Sequence, residues 1–426
     1  MKWTKTKGDL ILAGASEVLQ KLSGYVVLLI LARHFDQTRM GELFFALTLA
    51  SLVAAGTELG TGRYLMREAA QHPEAALRRL GEVLVLRLPL ALAGLLLLAG
   101  GAMVLRPGLV SVIAPVALAV LVQDVYYSFG ALLLGLRQVS LRLVTGLMGP
   151  VILIPSVAAA AALDATLPVA LLGWVAGSLA ALATCVVVVW RRYGPIPLRW
   201  DPLVARATAR ASLPFFALNT LGLAHFKADT VLLFLLTTPA AVATYEAGYK
   251  LLEVSRIAVR PAAVVFLPVW AAIAAREDWR GFGLAFRRLL RMAGIAGVAA
   301  AVALLALAGL LVPLLWGDRY ADAVGVTQVL ALAVPAVFLS IVATLAAGAL
   351  RLEGAAAKVL AGCLLINVGL NLVAIPRWGV LGAAGCTVVT EGLATLGLLR
   401  LVGRKVRVGA ADLVREGEQG AGTAAG

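Results

Sequence analysis

A chain of 426 residues that is 61% apolar and only 14% charged, with a mean hydropathy of +0.94, is not composed like a soluble domain, where roughly half the residues are apolar and about a quarter charged. Its formal charge of +14 would point to nucleic acid in a soluble protein. Here the Lys and Arg residues gather in links between apolar runs, which is a membrane-topology signal and leaves no nucleic-acid partner.

The chain opens on the basic stretch from Met1 to Lys7, but Glu17, Gln20 and Lys21 interrupt the next apolar run and no small-residue cleavage site follows. A retained first helix is expected rather than a cleaved signal. Apolar windows then predict about twelve spans, near 10–32, 41–62, 82–105, 109–134, 143–163, 167–190, 213–236, 240–274, 289–315, 323–350, 356–376 and 379–402. Alternate links separate by charge. One set carries Lys2, Lys5, Lys7, Arg63, Arg67, Arg78, Arg79, Arg137, Arg142, Arg191, Arg192, Arg199, Arg206 and Arg210, and continues through Arg276–Arg288, Arg351, Lys358 and Arg404–Arg407; the other holds only Arg33, Arg39, Arg106, Arg319 and Arg377. The positive-inside rule makes the first set cytoplasmic, both termini included.

The Pro- and Arg-rich link from Arg191 to Ser212 divides the chain into a six-helix lobe over 1–200 and a second over 201–408, followed by a small, polar tail over 409–426 that is expected to be disordered and cytoplasmic. Punctuation repeats between the halves at an offset of roughly 200 to 215 residues, as in transporters built from internal repeats. Arg78-Arg79 answers to Arg287-Arg288, and Gly135-Leu136-Arg137 to Gly348-Ala349-Leu350-Arg351.

Catalytic signatures of soluble enzymes are absent. There is no Gly-Lys dipeptide for a phosphate-cradling loop, and Gly60-Thr61-Gly62 lacks the third glycine of a dinucleotide turn. The three histidines are too dispersed for a metal pair, and Cys185, Cys363 and Cys386 all lie inside apolar runs, so neither a metal nor a cofactor is implied. What remains is a set of ionisable groups within spans, each costing about 2.5–3.5 kcal/mol at a helix centre on insertion scales. In the eighth span Glu246, Tyr249, Lys250, Glu253, Arg256 and Arg260 fall within an arc of roughly 120°. Glu17 and Lys21 share a face of the first span; Asn219, Lys227 and Asp229 lie in the seventh, with Lys227 off the face of the other two. Glu58 ends the second span, Gln123 and Asp124 lie in the fourth, Asn367 and Asn371 in the eleventh and Glu391 in the twelfth. Two readings stay open for each: a substrate or ion pathway, or an ion-paired brace between helices.

Several stretches carry a family likeness. They are Ala32-Arg33-His34-Phe35 through Met40-Gly41-Glu42-Leu43-Phe44, Glu58-Leu59-Gly60, Asp229 to Phe234 leading to Tyr245-Glu246-Ala247-Gly248-Tyr249-Lys250-Leu251-Leu252-Glu253, and Gly379 to Gly385. Through them the chain resembles the polysaccharide flippase branch of the multidrug/oligosaccharidyl-lipid/polysaccharide exporter superfamily. The resemblance implies an all-α integral membrane protein with two pseudo-symmetric six-helix lobes around a central cavity. It implies alternating access for a lipid-linked saccharide in a bacterial or archaeal cytoplasmic membrane, with polysaccharide polymerase and glycosyltransferases as working partners. A polyprenyl pyrophosphate needs cations in a low-dielectric cavity, which Lys21, Lys250, Arg256 and Arg260 would supply with Tyr249 beside them. Glu17, Asp229, Glu246 and Glu253 would then bind a coupling H⁺ or Na⁺.

An ion-coupled multidrug (organic cation) antiporter of the same superfamily suits the acids but leaves the intramembrane bases without a purpose. A permease of the major facilitator class matches the span count, yet Gly62-Arg63-Tyr64-Leu65-Met66-Arg67 lacks its acidic-basic glycine motif. A membrane enzyme such as a saccharide polymerase commonly carries a large outward loop, and the outward links here are short.

Overall fold

The structure is a computed structural model that describes residues 3–257 and 260–423; the side chains of 3–18, 105, 214–215, 217–219, 257, 260–265, 267–268 and 408–423 lie outside the described residues. Among the described residues the regular secondary structure is all helix. In chain order the helices are α1 (Trp3–His34), α2 (Gln37–Glu58), α3 (Thr61–Gln71), α4 (Ala76–Leu105), α5 (Val110–Gly135), α6 (Val139–Ala162) and α7 (Leu167–Tyr193). After these come α8 (Pro202–Leu236), α9 (Pro239–Ile257), α10 (Arg260–Ala275), α11 (Trp279–Trp316), α12 (Ala323–Ala331), α13 (Val334–Ala349) and α14 (Glu353–Thr423). Helix satisfies every backbone polar group within one segment, the only open-chain solution in hydrocarbon.

Among the described residues, seven helical runs are individually long and apolar enough to cross a membrane, and α12 with α13, bent by 50°, makes an eighth. One of the seven, Glu353–Arg407, is broken at Gly379, whose φ of 55° and ψ of −133° leave the helical region, and therefore carries the eleventh and twelfth predicted spans. The first predicted span falls on α1, the seventh on α8 and the eighth on α9 and α10. An all-α membrane protein of about twelve spans is thus what the chain forms.

Helix α3 lies where only a basic link is expected from the sequence. Leu59 and Gly60 both take left-handed backbone, with φ of 51° and 72°, and turn the chain out of α2. The next residues then form an amphipathic helix with Tyr64, Leu65 and Ala69 buried and Arg63 and Arg67 exposed. Its apolar stripe is too short and too charged to register in a span-length window.

By packing, the chain divides into two compact units: Met1–Glu246 with Pro313–Tyr320, and Ala247–Val312 with Ala321–Gly426. In the first, Leu65 of α3, Leu80 and Val83 of α4, Phe129 and Leu133 of α5 and Cys185 of α7 share one core. Helices α6 and α7 approach closely at Gly177, where a Cβ would sit 2.8 Å from the carbonyl oxygen of Gly149. The Pro313–Tyr320 segment is held on the α1–α2 turn: Arg33 donates to the Leu314 carbonyl, Gln37 Nε2 to Arg319 O at 2.6 Å, and Arg319 Nη1 to Phe35 O at 3.1 Å. In the second unit Trp270 of α10 is fully buried against Phe282 and Phe286 of α11.

Candidate functional site

The polar groups of the first unit are organised by the α8–α9 hairpin. Lys227 and Thr230 are three residues apart on α8 and share a face, whereas Asp229 lies about 200° from Lys227. The two faces take different partners. Glu246 Oε1 accepts from Thr230 Oγ1 at 2.5 Å and from Lys227 Nζ at 3.5 Å, and Asp229 Oδ2 accepts from Tyr245 OH at 2.8 Å. Glu246 and Asp229 are buried, and the Lys227 side chain is 14% exposed. The pattern resolves why Lys227 stood apart in the sequence: its carboxylate is on the next helix, not its own.

A second polar centre of the same unit joins α4 to α5. The Arg87 guanidinium, 1% exposed, ion-pairs with Asp124 and donates to Ser128 one turn on. Arg87 is a buried charge that the hydropathy profile passes over, because one charge among leucines barely lowers a window average; its signal was a lone arginine immediately before Leu88-Pro89. Between α1, α5, α6 and α7 lies a cavity whose polar lining is Gln20, Ser23, Gln123, Tyr126, Trp174 and Ser178; none of its described lining residues is charged. Lys21 is half-buried in α1, and the Glu17 and Asn219 side chains lie outside the described residues.

In the second unit Lys250 Nζ donates to Glu253 Oε2 at 2.7 Å, with side-chain exposures of 13% and 29%. Tyr249 is buried and Arg256 half-buried near the end of α9; the Arg260 side chain lies outside the described residues. Asn367 and Asn371 turn out to be internal: Asn367 Nδ2 donates to Thr390 Oγ1 at 3.3 Å across the break in α14, and Asn371 Nδ2 donates to Asn367 Oδ1 at 3.1 Å. Glu391 is buried beside Thr390. Chemically, the first unit offers buried carboxylates held by hydroxyls and one ammonium, and the second offers cations on a half-polar helix.

A sequence profile described as polysaccharide biosynthesis protein matches residues 8–274. Solved structures share the fold across nearly the whole chain. A multidrug resistance MATE family transporter of the MOP superfamily, in an inward-facing conformation, superposes with a TM-score of 0.76 at 13% identity, covering 92% of this chain and 96% of that one. The lipid II flippase MurJ, inward closed, gives 0.70 at 12% identity, covering 92% and 87%. A MOP superfamily transporter from Pyrococcus furiosus, noted for the reverse polarity of its binding pocket, gives 0.64 at 13% identity and 96% of both chains. At such identities the likeness establishes the fold. No curated protein matches the chain by sequence.

Proposed function

Because this chain belongs to the polysaccharide biosynthesis protein family, we propose that it is a flippase that moves a polyprenyl-pyrophosphate-linked oligosaccharide across the cytoplasmic membrane by alternating access. The observation that carries this reading is the placement of Lys250 and Arg256, half-buried, on a helix of a transporter fold. A pyrophosphate arriving from water needs cations already in place, and its polyprenyl tail can stay in lipid. In this reading Lys21, Lys250, Arg256 and Arg260, with Tyr249, hold the substrate. Glu17, Asp229, Glu246 and Glu253 are the carboxylates at which H⁺ or Na⁺ biases one lobe arrangement over another. The lobes that exchange access in this reading are the two sets of six predicted spans, 1–200 and 201–408, and both termini are taken as cytoplasmic from the charge of the links.

The buried acids Asp229 and Glu246 favour a second reading, an ion-coupled exporter of organic cations. Purified protein in liposomes separates the two. It is expected to equilibrate a polyprenyl-pyrophosphate-linked saccharide between leaflets without ATP, at a rate altered by an imposed proton or Na⁺ gradient. Export of organic cations, with the saccharide lipid left on its original leaflet, would replace the flippase by the antiporter. Orientation has its own test. Single cysteines at Asp164 and Asp322 should react with an impermeant thiol reagent from outside the cell, and cysteines at Ala75, Ala205 and Asp278 should not; the reverse pattern would invert the topology.

A further inference from the structure

We infer that the link between α7 and α8 is a seat for anionic phospholipid headgroups of the leaflet it faces. Along residues 190–210 exposed arginines alternate with exposed apolar side chains. Trp190, Leu198, Trp200 and Leu203 are 58, 57, 62 and 77% exposed, and Arg191, Arg192, Arg199, Arg206 and Arg210 are exposed among them.

The acids that lie near this link are committed elsewhere. Glu68 and Glu82 pair with Arg67, Arg78 and Arg79, and the Asp201 carboxylate caps α8 by accepting from the amides of Leu203 and Val204. Among the described residues none of the link arginines makes an ion pair. The positive charge of the link is therefore not neutralised within the first unit, and it is available to an anion outside.

The link is built rather than slack. Tyr193 and Ile196 pack against the core of the first unit, Gly194 turns the chain at φ +93°, and the carbonyl of Pro197 lies so close to Gly81 that a Cβ there would collide with it. Pro195, Pro197 and Pro202 restrict the remaining backbone. The arginines and tryptophans are thus presented on a fixed platform, which keeps the ordering cost of binding low.

The apolar half of the pattern selects lipid. Ala176, Leu179, Ala183, Val187 and Trp190 recur at i+3 and i+4 spacing as the exposed face of α7, and Trp190 is the last member of that lipid-compatible stripe. Tryptophan belongs at the depth of the headgroups, where an arginine fork meets a phosphate bidentately. An acidic soluble protein would match the arginines but would not account for Trp190 prolonging a face that lies in hydrocarbon.

The test uses the full chain in phosphatidylcholine nanodiscs doped with acyl-brominated phosphatidylglycerol or, separately, acyl-brominated phosphatidylcholine at the same mole fraction. The link signal is the tryptophan fluorescence lost on going from the native protein to Trp190→Phe/Trp200→Phe. That signal is expected to be quenched about twofold or more better by the brominated phosphatidylglycerol, and the preference should fall with added salt. Arg191→Gln/Arg192→Gln/Arg199→Gln/Arg206→Gln should abolish the preference while the protein stays monodisperse and helical. Equal quenching by both lipids in the native protein overturns the proposal. So does quenching by neither, the outcome expected if the link faces water and awaits a soluble acidic partner. Should the fourfold variant fail to fold, the native comparison and its salt dependence still decide. None of these outcomes depends on the transported substrate.

Discussion

Alanine at Lys250 or at Arg256 should slow movement of the saccharide lipid in liposomes by roughly tenfold to a hundredfold, the equivalent of about 1.5–3 kcal/mol for each lost charge-assisted hydrogen bond, with folded protein recovered in normal yield. Lys250 needs a control because it pairs with Glu253 at 2.7 Å. If its task were only to neutralise that carboxylate, Lys250→Ala/Glu253→Gln would run at the rate of Glu253→Gln alone. A substrate cation predicts instead that the double variant stays as slow as Lys250→Ala. Arg256→Lys should be tolerated in part, since charge survives but the planar fork does not. Native rates for both alanine variants would remove α9 from the substrate path.

Removing the arginine of the Arg87–Asp124 pair should produce the largest single loss of stability, about 3–5 kcal/mol for Arg87→Ala, because it strands a carboxylate that the bundle has already taken out of water. Arg87 is 1% and Asp124 13% exposed, so solvent cannot replace the lost partner cheaply. Replacing both, as Arg87→Met/Asp124→Leu, should recover most of that loss, since neither charge is then desolvated and the apolar replacements fill similar volumes. Unfolding midpoints in detergent measure both. Equal midpoints for the single and double variants would mean that the site collapses or hydrates around a lone charge.

How far these sites were legible differs from residue to residue. Asp124, Asp229, Glu246 and Lys250 stood out because each is an ionisable group inside an apolar run, and its insertion cost is a property of its own window. Apart from Lys250 with Glu253, which share a helix, the pairings did not stand out. Spacing along α9 offers Glu246 only Lys250, while the α8–α9 hairpin brings it Lys227 and Thr230 from nineteen and sixteen residues away. Arg87 was masked by the leucines that surround it and became visible only when Asp124 and Ser128 were placed opposite. The amide ladder of Asn367, Asn371 and Thr390 needed the break at Gly379, which folds two spans back on each other within one continuous helical run.

Crossing number and helical character were determined by the sequence alone, because burying about 20 apolar residues in hydrocarbon is a local sum and a backbone in that medium has few ways to satisfy itself. The charge alternation of the links likewise needs no tertiary contact to be read, and it carries the orientation expected of the chain. Only the tertiary structure decided which charges answer one another, and that α3 is a packed amphipathic helix rather than a link. It also showed that the α7–α8 connection is pinned by Gly81 and Ile196 into a rigid platform. Each of these depends on the register between segments distant in sequence, where a single turn of one helix exchanges a paired carboxylate for an orphaned one.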